Sequence, residues 1–246
     1  MPSFSDYLNH IKTLLETVER DEASAIKAAA SLWVKATQDK QNIFVFGASH
    51  AGILTQELFY RAGGLATINP VEAPSLNLAV RPITHTSMME RLPGYGTLLA
   101  QKTPFNKGDV VLVHSVSGRN TVMIDFVLEA KKKDVHVIAI TNVTYSNSVT
   151  SRHQSGKRLF ELANVVIDNH GDIGDAAMQF PQLSQKVAPT STVIGSAIVN
   201  AILVETVHQA LEAGIKVPIL HSANLDDGDD YNKALFKAFK DNIFYL

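Results

Sequence analysis

Between residues 3 and 39 the apolar positions recur every three or four residues. Phe4, Leu8, Ile11, Leu15 and Val18 share one helical face. Ile26, Ala29, Leu32 and Trp33 share another, with Asp21 placed to cap the second helix. From Asn42 onward the pattern changes to short, unbroken apolar runs. "NIFVFG", "LATINP", "DVVLVHS", "DVHVIAITN" and "ANVVIDN" read as five strands, with helices at "HAGILTQELFYRAG" and "SGRNTVMIDFVLEAKKK". Strands this apolar need cover on both faces, and helices between them imply right-handed crossovers. The predicted fold is therefore α/β, a doubly wound five-stranded parallel sheet. "APTSTVIGSAIVNAILVETVHQALEAG" reads as a long late helix, apolar nearly all round in its first half and so buried. A polar loop, "HSANLDDGDDYN", precedes a short amphipathic C-terminal helix. Nothing in the chain reads as a repeat or an inter-domain linker. One unit is expected: an N-terminal helical segment (1–40), a core (41–215) and a C-terminal tail (216–246).

Composition narrows the function classes. Charged residues make up 19% of the chain and the net charge is -2, which gives no pull toward nucleic acid or anionic lipid. The absence of cysteine excludes disulfides, thiol catalysis and thiolate metal sites. The N-terminus lacks the basic start and apolar core of a signal peptide, and no uninterrupted apolar run reaches membrane-spanning length. The expected setting is the cytoplasm, with neither nucleic acid nor membrane as a partner.

In an open parallel sheet, ligands sit at the carboxyl ends of the strands, where the strand order reverses. Two loops have suitable chemistry there. "HSVSGRNT" runs from the third strand into a helix whose N-terminus carries unpaired N–H groups and partial positive charge. Gly118 allows close backbone approach, while Ser115, Ser117, Asn120 and Thr121 supply donors and Arg119 adds charge. A plain helix cap would use the same residue types. The second loop, "GASHAG", places Ser49 and His50 after the first strand; it is neither GxGxxG nor a Walker loop.

The stretches "IFVFGASHAG" and "DVVLVHSVSGRNTVMIDFVLEAKKKDVHVIAITN" resemble the sugar isomerase (SIS) domain of phosphoheptose isomerase and N-acetylmuramic acid 6-phosphate etherase. "ELFYRAGGL", "SGKRLFELANVVIDN", "PTSTVIGSAIVNAI" and "SANLDDGDDYN" resemble a narrower bacterial SIS family. The resemblance covers nearly the whole chain and implies a flavodoxin-like core that binds a phosphorylated sugar or amino sugar. It places the phosphate on Ser115, Ser117 and Gly118, with Asn120 where the broader family has Thr or Ser. It also adds the hydroxyl cluster Thr190, Ser191 and Thr192. In "GASHAG" the family's hydroxyl is shifted to Ser49. SIS relatives build their site across subunits, so a homodimer or homotetramer is expected.

Aldose–ketose isomerisation passes through an enediol, needing a carboxylate base above the sugar and an acid to open the ring. Glu205 closes an apolar stripe over Ala201, Ile198 and Ile194 on the late helix, and Glu72 sits in a Pro-bracketed loop after the second strand. Either could be the base, and the resemblance implies an acid near each position. It also implies that His221 could open the ring from a neighbouring subunit. His208 lies one turn beyond Glu205. No HExxH or cysteine set supports a metal. A zinc-using branch of relatives has a histidine where Thr55 and Gln56 stand here. No cofactor is called for. The leading expectation is a sugar-phosphate isomerase, with a non-catalytic phosphosugar-sensing module and an etherase-type lyase as alternatives.

Overall fold

The computed structural model describes residues 1–246. Two helices, α1 (Phe4–Asp21) and α2 (Ala23–Gln38), precede the sheet. Strand β1 (Ile43–Gly47) leads through one 3-10 turn into α3 (Ile53–Leu58) and β2 (Ile68–Pro70). Helices α4 (Thr84–Met89) and α5 (Tyr95–Lys102) come before β3 (Val110–His114). Then follow α6 (Thr121–Lys132), β4 (His136–Thr141), α7 (Val143–Ser148) and β5 (Val165–Asp168). A hairpin of β6 (Ala176–Met178) and β7 (Val187–Pro189) leads to α8 (Ser191–Glu212), and α9 (Gly228–Ala238) lies near the C-terminus.

The five long-range strands form one parallel sheet in the order β2-β1-β3-β4-β5. The order reverses between β1 and β3, and there Gly47 pairs with His114 at the carboxyl edge. Alternation along the strands separates two cores. Ile43, Val45, Val110, Leu112, Ile138, Ile140 and Ile167 pack against Trp33, Leu54, Ile194, Ile198 and Ile202 from α2, α3 and α8. Phe44, Phe46, Val111, Val113, Val137 and Ala139 pack against Leu99 from α5 and Met123, Phe126 and Val127 from α6. The doubly wound five-stranded architecture thus stands as expected.

Several details differ from the sequence reading. The helix expected over "HAGILTQELFYRAG" is cut to Ile53–Leu58, because the chain turns through positive φ at Ser49 and again at Tyr60. Strand β2 loses Leu65, which forms an antiparallel bridge with Ile219 from the C-terminal tail. The late helix starts at Ser191, since residues 187–189 belong to the unforeseen hairpin. By length and composition α8 is apolar enough to cross a membrane despite Asn200 and Glu205; here 44% of its most apolar window is buried inside the protein.

Helices α5 and α6 approach at Gly96. A Cβ there would lie 2.0 Å from the Val122 carbonyl oxygen and 2.7 Å from the Phe126 nitrogen, both backbone atoms that cannot rotate aside. Gly96→Ala should therefore destabilise the fold by roughly 2 kcal/mol, the overpacking cost outweighing alanine's better helix propensity. Denaturant unfolding would show a lower midpoint with an unchanged slope.

Candidate functional site

At the switch point, the loops after β1 and β3 face one another across a cleft of about 280 Å³. Ala48, Ser49, His50 and Ala51 line one side, His114, Ser115, Val116, Ser117 and Asn120 the other, with Glu90, Met123, Tyr145, Gly174 and Asp175 closing it.

Three carbonyls of the β3 loop are taken up by the protein. The Val116 carbonyl accepts from Asn142 N (2.9 Å) and Thr141 Oγ1 (3.0 Å). The Gly118 carbonyl accepts from Leu159 N and the Arg119 carbonyl from Arg152 N, each at 2.9 Å. Meanwhile the amides of Val116 through Thr121 donate to no group in the protein. Gly118 is required: its φ is +59°, and a Cβ would meet Ser146 Oγ at 3.1 Å and Leu159 Cβ at 3.3 Å. The outcome is a row of free N–H groups running into the first turn of α6, which is the chemistry of an anion site.

The segment that pins these carbonyls is itself anchored. His153 and Asp125 form a buried pair, Nε2 to Oδ1 at 3.0 Å. His153 Nδ1 accepts from Ser155 N at 3.0 Å, so the ring hydrogen sits on Nε2 and points at Asp125. The other Asp125 oxygen accepts from Gly94 N at 2.7 Å, joining this segment to the α5 N-terminus.

Glu90, just beyond α4, couples the two loops. Its carboxylate accepts from Ser49 Oγ (2.5 Å) and from Asn120 Nδ2. Asn120 Oδ1 in turn accepts from Arg152 at 2.7 Å. The Arg152 guanidinium is held below its usual range by burial and by the positive charges of Arg119 and Arg91, so three cations gather near this segment. The Glu90 carbonyl accepts from Val122 N at 3.1 Å, satisfying one amide at the α6 N-terminus.

Of the other residues singled out in the sequence, Thr121 donates its hydroxyl to the Arg152 carbonyl and does not line the cleft. Thr190 and Ser191 are committed to Asp175, which accepts from both backbone amides (3.1 and 2.8 Å) and from Ser191 Oγ (2.7 Å). The Asp175 carboxylate, and not these hydroxyls, thus caps the start of α8, and Thr192 does not line the cleft. Glu72 is exposed and lines a smaller neighbouring cleft of about 100 Å³, which shares Ser49 with the first. Glu205 is not brought to this edge. It lies about 21 Å along α8 from Ser191, at 1.5 Å per residue, and its Oε1 accepts from Gln209 at 2.8 Å. His208 pairs with Glu212 on the exposed face of the same helix. His221 follows the Leu65–Ile219 bridge before β2, away from the carboxyl edge, with its ring 3.4 Å from Asp227 and edge-on to Tyr231.

Glu90, His114 and Asp175 were missed in the sequence. Glu90 and Asp175 carry no local signal, because their partners lie 15 to 41 residues away. His114 did carry one: it is a polar residue closing an otherwise apolar strand. It is 1% exposed. Its Nδ1 lies 3.0 Å from the Ala51 carbonyl, and its Nε2 has no partner. Burial pushes the imidazole pKa down, only partly offset by the Ala51 bond and the Asp175 carboxylate. A depressed folded-state pKa means stability that is present above the unfolded value, about 6.5, and is lost as pH falls below it. His114→Asn keeps a donor for Ala51 but cannot titrate. Between pH 7 and 5 its unfolding free energy should fall less steeply than that of the wild type; parallel curves would show that His114 does not resist protonation.

Comparison with known proteins agrees with this architecture. A family model described as "SIS domain" matches residues 6–142. A UPF0309 protein of Shouchella clausii is 50% identical over all of both chains. One from Oceanobacillus iheyensis is 48% identical, again over all of both chains. Among solved structures, phosphoheptose isomerase from Neisseria gonorrhoeae superposes with a TM-score of 0.54 at 15% identity, covering 85% of this chain and 97% of that one. The phosphoheptose isomerase of Francisella tularensis gives 0.54 at 17%, covering 82% and 95%. At such identities these two likenesses concern the fold alone. With half its residues shared along the full length of its relatives and an SIS domain matched over the sheet's first four strands, the chain belongs to the UPF0309 family of SIS-domain proteins.

Proposed function

We propose that the protein binds a phosphorylated sugar in the cleft between the β1 and β3 loops and interconverts its aldose and ketose forms. The observation that carries this reading is the run of unpartnered amides from Val116 to Thr121 at the α6 N-terminus. A phosphate there would take up N–H groups that otherwise have only water, favoured by the helix dipole and by the nearby charges of Arg91, Arg119 and Arg152. Ser115 and Ser117 add hydroxyls at the cleft wall.

With the phosphate so placed, the sugar chain runs past Ser49 toward the smaller cleft. Glu72 stands there, exposed and without a hydrogen-bond partner, free to take a proton from the carbon next to the carbonyl. Glu90 has a different task. Its carboxylate is occupied by Ser49 and Asn120, so it holds the two loops in register as a positioning residue. Glu205 could serve only a partner subunit's site.

Ser117→Ala should weaken binding of a hexose phosphate by roughly 1.5–3 kcal/mol, the worth of a hydrogen bond to a charged group, and leave the much weaker binding of the free sugar unchanged. Calorimetry finding equal affinity for a sugar with and without its phosphate would refute the phosphate site. Glu72→Gln should abolish exchange of the sugar's C2 proton with solvent while affinity changes little, and Glu205→Gln should retain exchange within one subunit's site. Exchange surviving in Glu72→Gln would remove Glu72 as the base. Binding with no turnover in the wild type would leave a phosphosugar-binding module.

A further inference from the structure

We infer that His114 is a specificity-determining residue, which accepts a hydrogen bond from a hydroxyl or amine of the bound sugar. This inference rests on the phosphosugar reading above and adds which group the cleft selects.

The first observation is the tautomer. The Ala51 carbonyl can only accept, and it lies 3.0 Å from His114 Nδ1, so Nδ1 carries the hydrogen. In a neutral ring Nε2 is then a bare lone pair. The second is the surroundings. Nε2 is buried and meets no donor in the protein, and His114 is among the residues that line the cleft. A buried acceptor left unpaired costs about 1–3 kcal/mol, which a donor on a ligand reaching it would remove. The third is the neighbour. Asp175 lines the same cleft, and its carboxylate is the charged group that acts on the ring. That carboxylate already accepts from Thr190 and Ser191, so it offers Nε2 no hydrogen. His114 and Asp175 therefore add acceptors to the cleft, beside the row of donors that meets the phosphate. A ligand matching both carries an anion and a hydrogen-bond donor: an O–H, or an N–H of an amino sugar. An acyl or ether oxygen facing Nε2 would set two lone pairs against each other.

The chemistry does not need the lone pair to titrate. Burial keeps the ring neutral, which preserves the acceptor.

The test uses the whole protein and three binding series by calorimetry. The probes are inorganic phosphate, a hexose 6-phosphate with its 2-amino and 2-N-acetyl counterparts, and a set of hexose 6-phosphates each lacking one hydroxyl. The variant is His114→Asn, whose amide keeps the bond to Ala51 but does not extend to the Nε2 position. The hexose or amino-hexose phosphate should bind His114→Asn about tenfold more weakly, with inorganic phosphate unaffected. One deoxy analogue should show the same tenfold loss on the wild type and no further loss on the variant, the mark of a shared contact. The hexose arm keeping the full effect assigns an O–H; the amino arm alone showing it assigns an N–H. Nitrogen-15 spectra of histidine-labelled wild type give a reading that needs no variant. They should show the Nδ1–H tautomer, with the Nε2 resonance moving when the sugar phosphate is added and staying still with inorganic phosphate. Sugar phosphates binding His114→Asn as tightly as wild type, or an Nε2 resonance already carrying a proton, would overturn the inference and leave the phosphosugar reading intact. A wild type that binds no sugar phosphate would overturn both.

Discussion

Everything at this site depends on two strand ends being neighbours although their loops are far apart in the chain. Parallel pairing sets Gly47 of β1 beside His114 of β3, and the chain leaves the sheet toward opposite flanks from that point. The two loops diverge and a cleft opens, as it does wherever a doubly wound sheet reverses its strand order. The pairing is stiff because both strands are buried on both faces: Phe44 and Phe46 point one way, Ile43 and Val45 the other, each into a packed core. Moving β1 by one residue against β3 would exchange the two faces and lose both cores.

On that frame the polar groups follow one logic. A loop at the end of a buried sheet must account for its backbone hydrogen bonds. Here the β4 end and the segment from Arg152 to Leu159 take the loop's carbonyls, and the Asp125–His153 pair anchors that segment. The amides are the residue of this accounting, and Val116, Ser117 and Asn120 line the space between the loops. Glu90 keeps that space at a fixed width by holding Ser49 and Asn120 together. Its negative charge sits beside Asn120, in reach of Arg152, so it does not face a bound anion alone.

The sheet was readable in the sequence because its strands are short, wholly apolar and regularly spaced by helices, and such a pattern has one economical fold. The β3 loop was readable too, since hydroxyls and a glycine stand directly at a helix start. What lay beyond reach were contacts made through space. Glu90 looks like any acid just past a short, exposed helix until Ser49 and Asn120 are seen on its oxygens. Asp175 looks like a loop acid until it is seen capping α8 fifteen residues later. Glu205 illustrates the reverse case. Its position in an apolar helical stripe was a sound sign of partial burial, but a helix of 22 residues has two ends, and only the far one approaches the cleft. The β6–β7 hairpin was missed because its strands are three residues each and half exposed, too short for alternation to show.

The central claim is that a phosphate sits on the free amides between β3 and α6. Backbone amide spectra of nitrogen-15-labelled protein, recorded as a hexose 6-phosphate is added, test it residue by residue. The largest shifts should fall on Val116 through Thr121, with smaller ones at Ser49 and His50 across the cleft. Shifts confined to the opposite edge of the sheet, around Gln41 and Asn106, with the β3 loop unmoved, would contradict it.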